Sequence, residues 1–242
     1  DMMANQLWLN RGDLRFTESA MEWGSGVDAA GEAKAGMGVA AADLDDDSDV
    51  DILVVNLEGQ SDSLFRNAGA WFDDATADAG LNVVSRRFTR FGVVFADFDN
   101  DGWLDMYQAN GGVSHIPDSV GDPFAEPNVL YLGEPGGRFA LVTPEGGTAD
   151  ALVHTSRGLA VGDVDGDGGA DLLVINRDAQ PYLLMNRVEG RGNWIRFRVL
   201  TGTGRDAHAA TVSALVGGQR KYRDVQPAAS YLSSNDPRVH FG

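Results

Sequence analysis

Between two apolar runs lies the segment Asp97-Phe98-Asp99-Asn100-Asp101-Gly102-Trp103-Leu104-Asp105, which carries an aspartate at positions 1, 3, 5 and 9. Four carboxylates in so short a loop form a cage of oxygen atoms, the ligand set that a hard cation such as Ca²⁺ prefers. Gly102, at position 6, permits the sharp turn that aims the first three aspartates inward. A single acidic run is equally typical of a solvated loop, so one copy leaves both interpretations open.

The same spacing occurs twice more, again between apolar runs. The further copies are Asp43, Asp45, Asp47 and Asp51 in one loop, and Asp163, Asp165, Asp167 and Asp171 in another. Three copies in one phase predict about three Ca²⁺ ions, each held by the four aspartate side chains of its loop. The backbone carbonyl at position 7 is the expected fifth ligand; the residues there are Asp49, Trp103 and Gly169. Ca²⁺ is favoured over Mg²⁺ because a flexible carboxylate loop does not impose strict octahedral geometry.

We expect these ions to be structural. Without a cation, carboxylates crowded into one loop repel one another, so metal binding should be coupled to the stability of the hairpin. An ion that also bridges to a ligand needs an open coordination position, and the sequence leaves this alternative open.

Short apolar strands flank each acidic loop. Each loop follows a strand led by glycine and precedes a strand closed by asparagine; the glycines are Gly38, Gly92 and Gly158, and the asparagines are Asn56, Asn110 and Asn176. Runs this short indicate buried strands rather than helices. The loops are therefore predicted to be hairpin connections, without the flanking helices of an EF-hand.

Further strand patterns follow each hairpin and give four strands per unit, which is typical of a β-propeller blade. The loops are 54 and then 66 residues apart, and an insertion over roughly residues 111–127 explains the longer step. The sequence predicts an all-β fold: about three and a half four-stranded blades forming a partial ring in residues 1–190, and a small β module in residues 191–242. Because the first unit is only half a blade, the natural protein is expected to continue N-terminally.

Acidic and basic residues are unevenly distributed. The net charge is −17; residues 1–186 carry 10 Lys and Arg against 32 Asp and Glu, whereas residues 187–242, the C-terminal segment, carry 9 against 4. Three Ca²⁺ ions would offset six of the acidic charges, which favours a role as cation ligands over the alternative of an acidic surface that only aids solubility. So negative a chain disfavours binding to nucleic acid.

Composition and motif content exclude several kinds of functional site. The chain has no cysteine, which excludes disulfides, thiolate metal sites and a cysteine nucleophile. No apolar run approaches the ~20 residues that cross a bilayer, and the first residues do not resemble a signal peptide. The histidines stand far apart, without metal-ligand spacing, and no nucleophile elbow or phosphate-binding loop is present; the histidines are His115, His154, His208 and His240.

The acidic loops with their glycine-led strands resemble FG-GAP/VCBS repeats, the blades of integrin α-subunit heads and of many bacterial secreted proteins. Asn193-Trp194, Gly204-Arg205-Asp206 and the stretch 218–242 resemble the ASPIC/UnbV domain, and their order after the blades resembles the cartilage-acidic-protein-like family. Ser48 stands where the loop glycine is usual, which implies that the first loop is strained or rotated and leaves open whether it binds Ca²⁺ as tightly as the others. The stretch 208–211 also departs from the family pattern, and the chain resembles a family member truncated at both ends.

The resemblance implies an extracellular or periplasmic location and, with the absence of a catalytic pattern, favours a non-catalytic adhesion or interaction module for a protein or glycan ligand. The alternative is an enzyme or biosynthetic accessory protein with a polar pocket at the propeller axis, towards which His115 and Asp118 could face. A flat or solvent-filled axis would favour the first function, and a pocket lined from several blades would favour the second.

Several side chains allow two interpretations. Trp8 and Trp71 are expected in the core between blades, with ligand stacking as the alternative; Trp103 could partly cover the ion or the neighbouring blade. The basic run 220–223 is expected to be a solvated strand face, or else a docking patch for the acidic propeller or an anionic polysaccharide. His240 is expected to be structural. Open blade edges make self-association plausible.

Overall fold

The computed structural model describes residues 2–114, 121–177 and 179–242, and its sheets are antiparallel. The single α-helix there is one turn, α1 (Leu81–Val84), and two 3₁₀ turns span Ser85–Arg87 and Glu145–Gly147. The fold is therefore all-β, as the sequence predicts. Within the described ranges, no helix has the length and apolar character needed to cross a membrane.

Blade 1 is a four-stranded meander that follows a small hairpin. The hairpin is β1 (Trp8–Asn10) with β2 (Phe16–Glu18), and the blade consists of β3 (Gly36–Ala42), β4 (Asp51–Asn56), β5 (Ser63–Asn67) and β6 (Phe72–Asp74). Loop 1 (residues 43–51) joins the first two strands of the blade, which confirms the predicted hairpin connection.

Blade 2 repeats this order and contains the predicted insertion. Its region comprises β7 (Arg90–Ala96), β8 (Asp105–Asn110), β9 (Glu126–Pro127), β10 (Val129–Glu134) and β11 (Arg138–Leu141), in which β9 lies outside the four-stranded sheet. Loop 2 (residues 97–105) joins β7 to β8. The insertion's last strand, β9, pairs with β12 (Val153–His154).

Blade 3 and the C-terminal segment complete the chain. Blade 3 has three described strands: β13 (Ser156–Gly162), β14 (Asp171–Asn176) and β15 (Tyr182–Leu184), with loop 3 (residues 163–171) between the first two. The C-terminal segment contains β16 (Ile195–Phe197), β17 (Thr211–Val216), β18 (Gln219–Asp224) and β19 (Val239–Phe241). The β17–β18 hairpin turns at Gly217 and Gly218, and β16 pairs with β19.

The core lies between blades because alternate residues of a strand point to opposite faces of its sheet. In β7, Val93 packs towards blade 1, whereas Val94 packs towards blade 3. In β8, Met106 and Tyr107 divide in the same way. Blade 2 is thus buried on both faces, which explains the continuous apolar run 91–96 in β7.

The glycine-led strands β3, β7 and β13 lie side by side as the innermost strands of their blades. Each contains a β-bulge beside its glycine. A Cβ at Gly38 would lie 2.0 Å from the carbonyl oxygen of Phe91, and one at Gly92 would lie 2.8 Å from that of Arg157. Glycine is therefore required at these positions because the backbone of the next blade occupies the space of a side chain.

The C-terminal segment lies along these innermost strands. Ser230 Oγ accepts a hydrogen bond from the amide of Val93, and Ser233 Oγ accepts one from Leu159. Asn235 continues the series on Val161. Backbone amides of the innermost strands β7 and β13 are thus satisfied by the C-terminal segment.

Two tryptophans do not occupy the predicted core. Trp8 is 55% exposed and Trp71 is 51% exposed. Trp8 begins the three-residue strand β1, and Trp71 precedes the three-residue edge strand β6. The prediction that they form the core between blades is wrong.

Candidate metal centres

The three acidic loops meet the C-terminal segment. In loop 1, Asp46 pairs with Lys221 of β18. In loop 2, Asn100 Oδ1 lies 2.8 Å from Nε2 of His240 in β19. In loop 3, Asp163 pairs with Arg196 of β16. The predicted metal loops are therefore covered by the most basic part of the chain.

The aspartate at position 9 ties loops 1 and 2 to the third strand of their blades, and ties loop 3 to the residues just after β15. Asp105 accepts the amide of Phe98, at position 2 of its loop, at 2.8 Å, and the amide of Gly133 at 2.7 Å. Asp51 and Asp171 accept the equivalent pairs of amides; the donors are Leu44 and Asn67 for Asp51, and Val164 and Asn186 for Asp171. Burial raises the pKa of Asp51 to about 6 and that of Asp105 to about 8. From the sequence, this aspartate is expected as a metal ligand, and its hydrogen bonds to the two amides were not predicted. The recurrence of aspartate at position 9 was the signal for them.

In loop 1, one carboxylate oxygen each of Asp43, Asp45 and Asp47 lies within 4.8 Å of the others. Asp43 is 6% exposed, and burial raises its pKa to about 6 against the opposing hydrogen bond from Ser48. Oδ1 of Asp43 and Oδ1 of Asp45 are buried and have no hydrogen-bond partner among the described residues. Buried acceptors without donors are costly, and a cation would satisfy both.

Ser48 adopts the turn that glycine usually makes at position 6. Its φ of 79° lies in the left-handed region, which is unfavourable for a side chain with a Cβ. Its amide nevertheless donates to Asp43 Oδ2 at 3.1 Å, as the amide of Gly102 donates to Asp97 Oδ2 at 2.9 Å. The loop keeps its shape, and the predicted strain is present in the backbone.

Loop 2 brings together Asp97, Asp99 and Asp101, again within 4.8 Å. Asp97 is 2% exposed, and burial raises its pKa to about 6, with repulsion from the other two carboxylates adding to the shift. In the part of the chain that the structure describes, no side chain forms an ion pair with these three aspartates. Trp103 lies under Lys221, whose Nζ is 3.4 Å from the centre of the ring.

Loop 3 gathers a different set, Asp163, Asp165 and Asp171, without Asp167. Asp167 instead pairs with Arg191 at 2.8 Å, and this hydrogen bond lowers its pKa to about 2. Burial would raise the pKa of Asp163, but the hydrogen bonds from Arg196 and the loop amides outweigh it and lower the pKa.

Three groups of carboxylates are thus close enough to hold a metal ion. The donor chemistry of loops 1 and 2 fits a hard divalent cation, and the unpartnered oxygens of loop 1 fit it best. In loop 3, arginine side chains already pair with three of the aspartates. The carbonyls of Asp49, Trp103 and Gly169 stay predicted ligands.

A cavity of about 210 Å³ lies between the innermost strands and the C-terminal segment. Polar side chains from all three loops and from β16, β18 and β19 line it together with alanines and valines; the polar ones include Asp43, Asp97, Asp163, Arg196, Arg223 and His240. It is smaller than the ~300–1,000 Å³ of most small-molecule sites. A pocket lined from several blades is nevertheless the feature expected of the alternative function.

The histidines can be placed in part. His115 and Asp118, which were candidates to face the axis, lie outside the described residues. His240 hydrogen-bonds to Asn100, stacks on Trp194 with ring centres 5.9 Å apart, and is a structural histidine as expected. Burial lowers its pKa to about 4. His154 packs against Tyr182, with ring centres 5.4 Å apart.

Some residues of the basic run 220–223 in β18 dock on the acidic loops, and others face solvent. Lys221 is 3% exposed and reaches both Asp46 and the ring of Trp103, and Arg223 donates to the carbonyl of Gly102 at 3.4 Å. Docking on the acidic propeller is confirmed for these two residues, and a solvated face for them is wrong. Arg220 is exposed and bonds only within its own hairpin, to Ser213.

Comparisons with known proteins agree with this architecture. Residues 43–107, which include loops 1 and 2, match the family model of the FG-GAP-like repeat, and residues 200–242 match the model described as ASPIC and UnbV. Over 98% of its length, the chain is 31% identical to cartilage acidic protein 1 of Xenopus tropicalis and 29% identical to the proteins of that name from Homo sapiens and Mus musculus. It covers 36%, 35% and 36% of these proteins, so it spans about a third of the length of the curated relatives it matches.

Proposed function

Because the chain carries an FG-GAP-like repeat and an ASPIC/UnbV segment, we propose that it is a calcium-stabilised, non-catalytic interaction module of an extracellular or periplasmic protein. The observation that carries the proposal is the pair of buried carboxylate oxygens in loop 1, on Asp43 and Asp45, which have no donor among the described residues. The name of the relatives, cartilage acidic protein, supports an extracellular location.

The crowding of negative charge in loops 1 and 2 supports the proposal. In loops 1 and 2, three carboxylate oxygens lie within 4.8 Å of one another, and burial holds the pKa of Asp43 and of Asp97 at about 6. Near neutral pH these groups either repel one another or retain a proton, and both states cost stability. Ca²⁺ would remove the repulsion and join the two strands that each loop connects.

Calcium titration with thermal unfolding tests this proposal. Because a ligand of the folded state stabilises it by about 2.7 kcal/mol at 100 times its Kd, saturating Ca²⁺ should raise Tm and EDTA should reverse the rise. Asp101→Asn should weaken the effect. Asp73→Asn is the control, because Asp73 is an exposed aspartate of the edge strand β6 whose carboxylate accepts a hydrogen bond from the ring of Trp71 and lies outside the acidic loops. A melting profile that Ca²⁺ and EDTA leave unchanged would exclude a structural ion.

The ligand of the module is proposed to be a protein or a glycan. The exposed rings of Trp8 and Trp71 support this, since tryptophan is enriched in binding surfaces, where it offers a large rigid area and a polar N–H. The net charge of −17 argues against nucleic acid.

The cavity at the axis supports a second candidate, an enzyme or biosynthetic accessory protein that holds a small molecule there. Native mass spectrometry separates the two. A bound small organic molecule in the purified chain would favour the second candidate, whereas Ca²⁺ adducts alone would favour the first.

A further inference from the structure

Loop 3 has more arginine contacts on its carboxylates than loop 1, where Arg66 Nε lies 3.0 Å from Asp45 Oδ2, or loop 2, whose aspartates have no ion pair among the described residues. Arg196 Nη1 lies 2.7 Å from Asp163 Oδ2, and the two side chains are 9% and 0% exposed. Arg191 approaches both oxygens of Asp167, at 2.8 Å and 3.3 Å. Arg187 lies 3.2 Å from Asp165 but is itself largely exposed. The aspartates at positions 1, 3 and 5 therefore each have an arginine partner.

The backbone of loop 3 is open to these side chains. A Cβ at Gly168 would lie 1.8 Å from Nε1 of Trp194, and a Cβ at Gly169 would lie 1.5 Å from Nη1 of Arg191. The other loops carry side chains at the equivalent position 7, Asp49 and Trp103. Loop 3 is thus the one of the three with two adjacent glycines, and the C-terminal segment occupies the space they leave.

The carboxylates of loop 3 are arranged differently from those of loops 1 and 2. Loops 1 and 2 gather the aspartates of positions 1, 3 and 5, whereas loop 3 gathers positions 1, 3 and 9 because Asp167 faces Arg191. Asp171, at position 9, already accepts the amides of Val164 and Asn186. The oxygens left for an ion are therefore fewer than in the other loops.

We propose that loop 3 serves as a docking site for the C-terminal segment in place of a metal site, and that Arg191 and Arg196 take the place of the cation there. Their two guanidinium groups supply the charge of one divalent ion, and a planar guanidinium matches a carboxylate through two hydrogen bonds. The chain then binds two Ca²⁺ ions, in loops 1 and 2, and not three. This count rests on the proposed function, whereas the docking itself does not.

Counting bound Ca²⁺ by equilibrium dialysis on the full chain tests the first part. We expect two ions on the wild type and one on Asp101→Asn. We also expect two on Asp167→Asn, the matched change at position 5 of loop 3. Three ions on the wild type and two on Asp167→Asn would overturn the inference. No ion on the wild type would contradict the proposed function instead, and the docking would then be decided by the second measurement.

Hydrogen exchange in EDTA tests the docking without calcium. Loss of a hydrogen bond to a charged group should lower the free energy of local opening of the docked segment. The backbone amides of residues 187–198 should then exchange about tenfold faster. We expect this in Asp167→Asn and in Arg196→Gln. Arg198→Gln is the control, because Arg198 pairs with Asp206 at 2.7 Å within the C-terminal segment. Wild-type exchange in both loop 3 variants would overturn the inference.

Discussion

At the scale of single residues, burial decides the charge of the carboxyl groups, and Glu126 shows this away from the acidic loops. Glu126 is 7% exposed and accepts the amide of Thr89 at 2.8 Å. Burial raises its pKa from 4.5 to about 7, in spite of the opposing hydrogen bond. The folded chain therefore keeps a proton that the unfolded chain has already lost between these two pH values.

The free energy of unfolding should consequently fall as pH rises from about 4.5 to about 7 and become level above that, as the sign of the linkage requires. In Glu126→Gln this contribution is absent, so the wild type should lose on the order of 3 kcal/mol relative to the variant across that window. Urea unfolding at a series of pH values measures the difference. Glu134→Gln, at a half-exposed glutamate paired with Arg138, is the control, and a pH-independent difference for Glu126→Gln would contradict the prediction.

The sequence predicts which aspartates converge in loops 1 and 2, because the spacing of residues along a tight loop determines which side chains point to the same place. Aspartates at positions 1, 3 and 5 converge in loops 1 and 2 as expected. Ser48 carries the strain expected from a missing glycine. What the spacing cannot predict is the partner of each oxygen: Asp167 has the same spacing as Asp101 but faces Arg191, which lies beyond the blade in the sequence.

At the scale of elements, the close approach of innermost strands depends on glycine. A Cβ at Gly92 in β7 would lie 2.6 Å from Cβ of Leu159 and 2.8 Å from the carbonyl oxygen of Arg157. Because neither neighbour is the flexible end of a side chain, Gly92→Ala should lower the free energy of unfolding by about 1–3 kcal/mol. Gly202→Ala, where nothing lies within 4 Å of the new Cβ, is the control in the same urea titration.

An unchanged midpoint for Gly92→Ala would mean that the blades can separate at the axis at no cost. The glycine pattern would then reflect only the β-bulge, which Gly92 shares with Gly38 and Gly158. The strands themselves were predictable, since short apolar runs and the hairpin loops between them are local features of the sequence. Trp8 and Trp71 were misplaced because their exposure depends on what neighbours an outer strand.

At the scale of the whole molecule, the C-terminal segment acts as a cap on the acidic loops. The pair Lys221–Asp46 joins residues 175 positions apart, and no periodicity in the sequence indicates such a contact. The only sequence signal is the opposite charge of the two parts, −22 and +5. That signal predicts attraction but not which loop receives which basic side chain.

The blades also present repeated faces to one another. The residues of the second strand that face the following blade are Leu53 and Val55 in blade 1, and Tyr107 and Ala109 in blade 2. The equivalent residues of blade 3 are Leu173 and Ile175, which are 41% and 44% exposed. The complementary face of blade 1 carries Ile52 and Val54, which are only partly buried. The N-terminal residues Asn5–Leu7 line a groove together with this face. One copy of the chain therefore offers two partly open apolar surfaces, related to the two halves of an internal blade interface.

We expect copies of this chain to associate head to tail, with blade 3 of one against blade 1 of the next, because this pairing buries both apolar faces in the geometry already used inside the molecule. Sedimentation velocity should show mass increasing with concentration. The double variant Leu173→Glu/Ile175→Glu should stay monomeric, since it places charges in the contact. Leu215→Glu, at a residue of β17 that is 69% exposed, should associate like the wild type. A wild type that sediments as a monomer throughout the concentration series would show that these faces do not suffice to hold two copies together.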